Sequence, residues 1–305
     1  MNEESIQVPK AGAANGGKLL VIDTSSASMT AALLEGNRLI AERKLHAERN
    51  HSIRLLPLVE EMLESAGVKP AELSAIATGV GPGSYTGVRI GVTVAKTMAW
   101  AQQIPVAGVS SLASLALGTL LPDGEKAPAV TADVAEAGPV WIVPLLGARR
   151  GQAYTALFRA ASGIDEAGGS YPGTNGRTEF ADAWTSDEGW TMSRLVDDAI
   201  HPVEQWLEKL LMLEQEEADS AHPARVVFTG ETEEFLPLLS AYAERRSGET
   251  TILEDHLRAY ACGLLAVPML AAHATEDPHR LLPNYTQLAE AEVKLAARLR
   301  GENHT

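Results

Sequence analysis

A chain of 305 residues has room for about two domains at roughly 100–200 residues each, and its 45% hydrophobic content can bury a large core, which excludes disordered and collagen-like classes. Forty acidic against 25 basic residues leave a net charge of −15, so the chain repels a phosphate backbone and unaided nucleic-acid binding is not expected. The single cysteine, Cys262, excludes an internal disulfide and a thiolate zinc cluster, and no apolar run reaches the ~20 residues of a membrane span.

Met1 to Gly17 lacks the basic-then-apolar order of a secretory signal and reads as a disordered leader, so a reducing, cytoplasmic setting is expected. Leu19-Leu20-Val21-Ile22 then predicts a buried strand ending in the polar turn Asp23-Thr24-Ser25-Ser26. Met29 to Leu34 is a second strand, Glu35-Gly36-Asn37 a tight hairpin and Arg38 to Leu45 a third strand, which together make an antiparallel meander. Leu55, Leu56, Val59, Met62, Leu63 and Ala66 recur on one face of a helix that begins near His51, carries Pro57 close to its start and stops at Gly67. Ser74 to Val80 is a strand, Gly81 to Gly87 a glycine-rich loop, and Val88 to Gln102 a helix. Ile104 to Gly108 and Ser111 to Leu117 add a strand and a helix.

Leu121 to Gly138 is rich in Pro, Gly and Ala. Strands at Val140 to Leu146 and Ala153 to Phe158 follow, joined by Gly147-Ala148-Arg149-Arg150-Gly151. Ala160 to Gly189 has little periodicity and reads as an inserted loop. Helical stripes occur around Val203 to Leu211 and Phe235 to Tyr242, with a strand at Val226 to Thr229 between them. Leu257 to Ala274 and Thr286 to Leu299 read as the last helices. The pattern predicts two α/β lobes, residues 18–118 and 119–305.

Asp23, Thr24 and Ser25 have two readings. Their side chains and free backbone N–H groups could hold an anion and their carboxylate a metal-bound water, or they could simply bond their own hairpin. The block Gly79 to Gly91 runs from strand to helix, a context suited to phosphate. Its loop fails the Walker A pattern, since Gly87 is followed by Val88-Arg89, and it fails the dinucleotide fingerprint. Dense glycine also permits close packing. Gly81, Gly83, Ser84, Thr86, Gly87 and Arg89 are therefore candidates for a phosphate loop, a partner contact or neither. The chain contains no His-x-x-x-His, so a histidine metal centre is not expected, and no nucleophile stands with a base at motif spacing. Cys262 reads as a small buried hydrophobe. The stripe on the 51–66 helix would ordinarily pack on its own lobe. Its width, with Leu55/Leu56 and Met62/Leu63 as paired neighbours, also permits it to face another chain, which makes His51, Leu55, Leu56, Val59, Met62 and Leu63 partner-binding candidates.

Ile22-Asp23-Thr24-Ser25, His51-Ser52-Ile53-Arg54-Leu55-Leu56-Pro57-Leu58 and the Gly81 to Gly91 block occur in the order and spacing of the TsaB (YeaZ) family, which they closely resemble. Gly147 to Tyr154 is similar to that family's D-A-R-x-x-E-V-Y segment, with Gly147 and Gln152 in place of the acids, and Leu282-Pro283-Asn284-Tyr285 to its P-x-Y. The resemblance implies an actin-like α/β fold of the sugar-kinase and heat-shock type, in two lobes of mixed sheet flanked by helices, with the last helix returning to the N-terminal lobe. It implies a non-catalytic partner of TsaD, the paralogue that carries the metal-binding histidines, joined by the ATPase TsaE. Together they transfer threonylcarbamoyl to N6 of the adenosine beside the anticodon. On this reading the chain meets tRNA only through the complex and forms a homodimer when alone. No cofactor is assigned to the chain itself, and ATP or ADP would have a place only at the complex interface. An ATP-dependent phosphotransferase using Asp23, or a glycoprotein peptidase, is the alternative.

Overall fold

The computed structural model describes residues 16–46, 51–123, 127–131, 138–162, 183–185, 190–217 and 222–286. The expected helix at 286–299, nearly all of the leader and most of the 160–189 stretch lie outside them.

The first sheet has the order β3-β2-β1-β4-β5, with β1 (Lys18–Asp23), β2 (Ser28–Glu35) and β3 (Arg38–His46) antiparallel and β4 (Leu73–Gly79) and β5 (Val106–Val109) parallel to β1. Helices α1 (His51–Ser65) and α2 (Tyr85–Gln102) are the crossovers, and both lie on one face of this sheet. Helix α2 starts three residues before the expected Val88, because Ser84 caps it through its hydroxyl, which accepts the Gly87 N–H. The second sheet runs β11-β10-β6-β7-β9-β8, built from β6 (Val140–Gly147), β7 (Gln152–Ser162), β8 (Ala183–Thr185), β9 (Trp190–Pro202), β10 (Arg225–Gly230) and β11 (Glu249–Glu254). Strands β8, β9 and β11 were not foreseen. Their residues are mostly half-buried or exposed and carry no clean alternation.

Each sheet is covered on both faces. Leu20, Ile22 and Leu33 pack under α1 and α2, whereas Leu19, Val21 and Leu34 point the other way. That second face meets α3 (Ser111–Gly118) and α6 (Ala259–Ala271), which also pack on Val140, Ile142 and Phe158 of the second sheet. The far face of that sheet, with Trp141, Val143 and Phe228, is covered by α4 (Val203–Glu216) and α5 (Leu236–Arg245). Burial on both faces explains why β1 reads as an unbroken apolar run. The α/β class, with two mixed sheets flanked by helices, is therefore as expected.

The chain crosses between the two sheets more than once. Helix α6, assigned above to the C-terminal lobe, packs on the first sheet: the Ala259 N–H donates to Thr30 Oγ1 and the Tyr260 N–H to Glu42. Residues 276–285 continue along that lobe, with Glu276 bridged to Val106 and Leu281 buried beneath α2. A boundary drawn in sequence misses this, because the chain crosses between lobes and then comes back.

Candidate functional site

The glycine block and the polar turn after β1 meet at the carboxyl ends of the first sheet's strands. Asp23, Thr24 and Ser25 are at most 1% exposed. Asp23 Oδ1 accepts the Ser25 N–H at 2.9 Å and its Oδ2 accepts the Ser111 hydroxyl at 2.8 Å. The Ser25 and Ser111 hydroxyls are 2.7 Å apart, and the Gly81 N–H donates to Ser111 at 3.2 Å. Burial pushes the Asp23 carboxyl above its ordinary pKa, against the lowering effect of these hydrogen bonds. The neighbouring Cys262 thiol is also pushed well up by burial, which keeps it an inert hydrophobe.

The loop's glycines lie against the same turn. A Cβ at Gly83 would stand 2.2 Å from the Ser25 carbonyl oxygen, and one at Gly87 would stand 2.1 Å from that of Thr24. The Ser84 N–H donates to Ser25 O at 2.7 Å and Thr24 Oγ1 donates to Gly87 O at 2.7 Å. Close packing is thus what the glycines serve. Asp23, Thr24, Ser25, Gly81 and Gly87 are buried, and the open side of Gly83 is filled by Ser25. Asp23 lies buried beneath Ser25 and Ser111. Ser84, Thr86 and Arg89 face solvent from the first turns of α2.

Most of the stripe on α1 is buried as well. Leu55, Val59, Met62 and Leu63 are at most 3% exposed, and His51 is 7% exposed; all five are turned into their own lobe. Paired neighbours on a helix differ by 100° in direction; Met62 and Leu63 straddle the inward face and are both buried, whereas Leu56 falls outside it beside the buried Leu55. Of the six candidates Leu56 alone is exposed, and Ile53, one turn earlier, joins it. Burial lowers the pKa of His51 below the ordinary imidazole value.

Several side chains of the site carried no motif of their own. Asp198 of β9 accepts hydrogen bonds from Ser110 Oγ at 2.8 Å and Asn284 Nδ2 at 3.0 Å, and it pairs with Arg194, whose guanidinium lies over the Phe158 ring. Of these, Ser110, Arg194 and Asn284 line a cavity of about 460 Å³ that is also walled by Val80, Gly108 and Met269. No spacing signalled this, because the partners come from the cap of α3, from β9 and from the segment after α6. Gly147, where the resembling family has an acid, donates its N–H to Glu231 Oε2 at 2.8 Å, so a carboxylate stands there nonetheless. Among the described residues no group of three metal-ligating side chains occurs, and no helix is long and apolar enough to cross a membrane.

The fold and this site define a two-sheet α/β protein whose glycine loop is closed on its own chain, with two helices facing outward. Residues 42–177 match the family model described as TsaD: tRNA N6-adenosine threonylcarbamoyltransferase. The tRNA threonylcarbamoyladenosine biosynthesis protein TsaB of Bacillus subtilis is 32% identical over 277 residues, covering 90% of this chain and 96% of that one. The Escherichia coli TsaB is 36% identical over 107 residues, 35% of this chain and 46% of that one. Among solved structures, YeaZ from Pseudomonas aeruginosa superposes with a TM-score of 0.59 at 25% identity, covering 88% of this chain and 99% of that one. The chain belongs to the TsaB family of tRNA threonylcarbamoyladenosine biosynthesis proteins.

Proposed function

We propose that the chain is a partner subunit that binds TsaD and supports its active site during threonylcarbamoylation of the adenosine beside the anticodon. The chain makes and breaks no bond itself. TsaE joins as the ATPase, ATP or ADP belongs to the complex interface, and tRNA is met through the complex in the cytoplasm. Left alone, the chain pairs with a second copy through the same helices.

Two lines of support come from kinship. The B. subtilis relative is matched along nearly its whole length. The chain also matches the TsaD family model, and a tRNA N6-adenosine threonylcarbamoyltransferase of Anaeromyxobacter is 35% identical over 128 residues, covering 37% of this chain and 38% of that one. A chain related to both is suited to a paralogous pair.

The observation that carries the proposal is the outer face of α1 and α2. Ile53 is 67% exposed, Leu56 52%, Tyr85 48% and Trp100 55%, so these two adjacent helices hold four of the nine large exposed apolar side chains among the described residues. Leu282 and Tyr285, on the segment that runs along α2, are two more. Scattered single residues would need no explanation, but a concentration on one face marks a contact surface. The test is co-expression of TsaD with an Ile53→Glu/Leu56→Glu double variant, read by size-exclusion chromatography. Both positions are exposed, so the variant stays folded, and loss of co-elution is the expected result. Undiminished pairing overturns the assignment.

A further inference from the structure

One side chain on this face is prepared for a charged partner. Arg89 projects into solvent from the second turn of α2, and its Nε donates to the Tyr285 hydroxyl at 2.7 Å. Its guanidinium carbon lies 4.0 Å from the centre of the Tyr85 ring and 5.5 Å from that of Tyr285, and the two rings are 5.7 Å apart. Tyr285 is brought here by the returning segment. The Asn284 N–H donates to Val80 O at 2.6 Å, Lys96 Nζ donates to Leu281 O at 3.1 Å, and Leu281 is buried. The arginine's freedom is therefore already restricted before anything binds, and less is lost on association.

Tyr285 takes Nε and the Tyr85 side chain also interacts with the guanidinium, but among the described residues no carboxylate pairs with Arg89, in a chain where 40 acids outnumber 25 bases. A planar guanidinium without a carboxylate partner matches a carboxylate or a phosphate in two-pronged fashion. A polynucleotide is the poorer match, since the net charge is −15 and Glu60, Glu61 and Glu64 are exposed on the neighbouring α1. A single acidic side chain on a protein meets no such repulsion. Arginine and tyrosine are also the residues that most often dominate protein interfaces.

We propose that Arg89 is the charged anchor of the docking face and takes a carboxylate of the partner protein, with Tyr85 and Tyr285 excluding water around the pair. This rests on the partner-subunit reading above. The test is isothermal titration of the chain with TsaD at low and moderate salt, using wild type, Arg89→Gln, Arg89→Lys and Leu56→Glu. Arg89→Gln is expected to weaken binding at least tenfold and to flatten its salt dependence, with the melting temperature unchanged. Arg89→Lys restores only part of the affinity, because an ammonium is a point charge without the fork. If Arg89→Gln stays within twofold of wild type while Leu56→Glu abolishes binding, the anchor is wrong and the docking face stands. If Leu56→Glu also leaves binding intact, the docking face falls with it. Reduced retention of tRNA by the isolated Arg89→Gln chain, at unchanged affinity for TsaD, would make the residue an RNA contact and overturn the proposal.

Discussion

Replacing Gly87 with alanine separates a loop made for packing from a loop made for a ligand. The added methyl would stand 2.1 Å from the Thr24 carbonyl oxygen, where an ordinary contact begins at 3.4 Å, so helix and turn must part by about 1.3 Å. The obstacle is backbone at the end of a central strand, which places the cost near the top of the roughly 1–3 kcal/mol range for overpacking. Parting the two also loosens the buried Thr24 to Gly87 hydrogen bond, a loss of about 1 kcal/mol. Against this, alanine in a helix gains about 1 kcal/mol over glycine. The net destabilisation is about 3 kcal/mol. With an unfolding entropy of about 2.1 cal/mol/K per residue over 305 residues, that lowers the melting temperature by about 5 °C. Thermal unfolding followed by circular dichroism measures it. Gly118→Ala is the control, because its Cβ would find nothing nearer than an Arg258 carbon at 3.9 Å, and at the end of α3 its stability should hold or rise by up to about 1 kcal/mol. A Gly87→Ala protein as stable as wild type would refute the argument and return the glycines to a ligand.

The inward stripe of α1 is tested by Met62→Ala, which empties a fully buried site and is expected to cost about 2–5 kcal/mol in urea unfolding. Leu56→Ala on the outer face should change stability by less than about 0.5 kcal/mol, and equal losses at both positions would contradict the burial described. His51 gives a pH signature. Burial lowers its pKa in the folded chain, so below about pH 6.5, its ordinary value, the unfolded chain binds the extra proton. Its contribution to stability is complete above that pH and declines as the pH falls, and His51→Gln should flatten the slope between about pH 7 and 5. An unaltered slope would mean that His51 is not held neutral.

Much of this protein was legible before any coordinates. The apolar run of β1 and the Gly36 turn are local signals, and each produced the element expected; the second helix formed as well, three residues earlier than its apolar pattern indicated. The family was legible as well, because the glycine block is dense and ordered; the structure adds that those glycines lie against the Asp23 turn. Strand β9 was not legible, since its residues are mixed and partly exposed, and its pairing with β7 is a tertiary fact. The direction of the α1 stripe was half legible. Periodicity defined a wide apolar face, and only packing showed that Leu55 and Met62 point inward while Leu56 points out.

By itself the sequence determined the strands and helices of the first sheet and where the glycine-dense block falls, because such preferences act over a few neighbouring residues. Tertiary structure alone decided that Asp23 is sealed beneath Ser25 and Ser111, that α6 returns to the first sheet, and that Tyr285 arrives beside Arg89 from 196 residues away. Exposure and pairing depend on which distant surfaces the folded chain brings together, and that information is not carried by any local window.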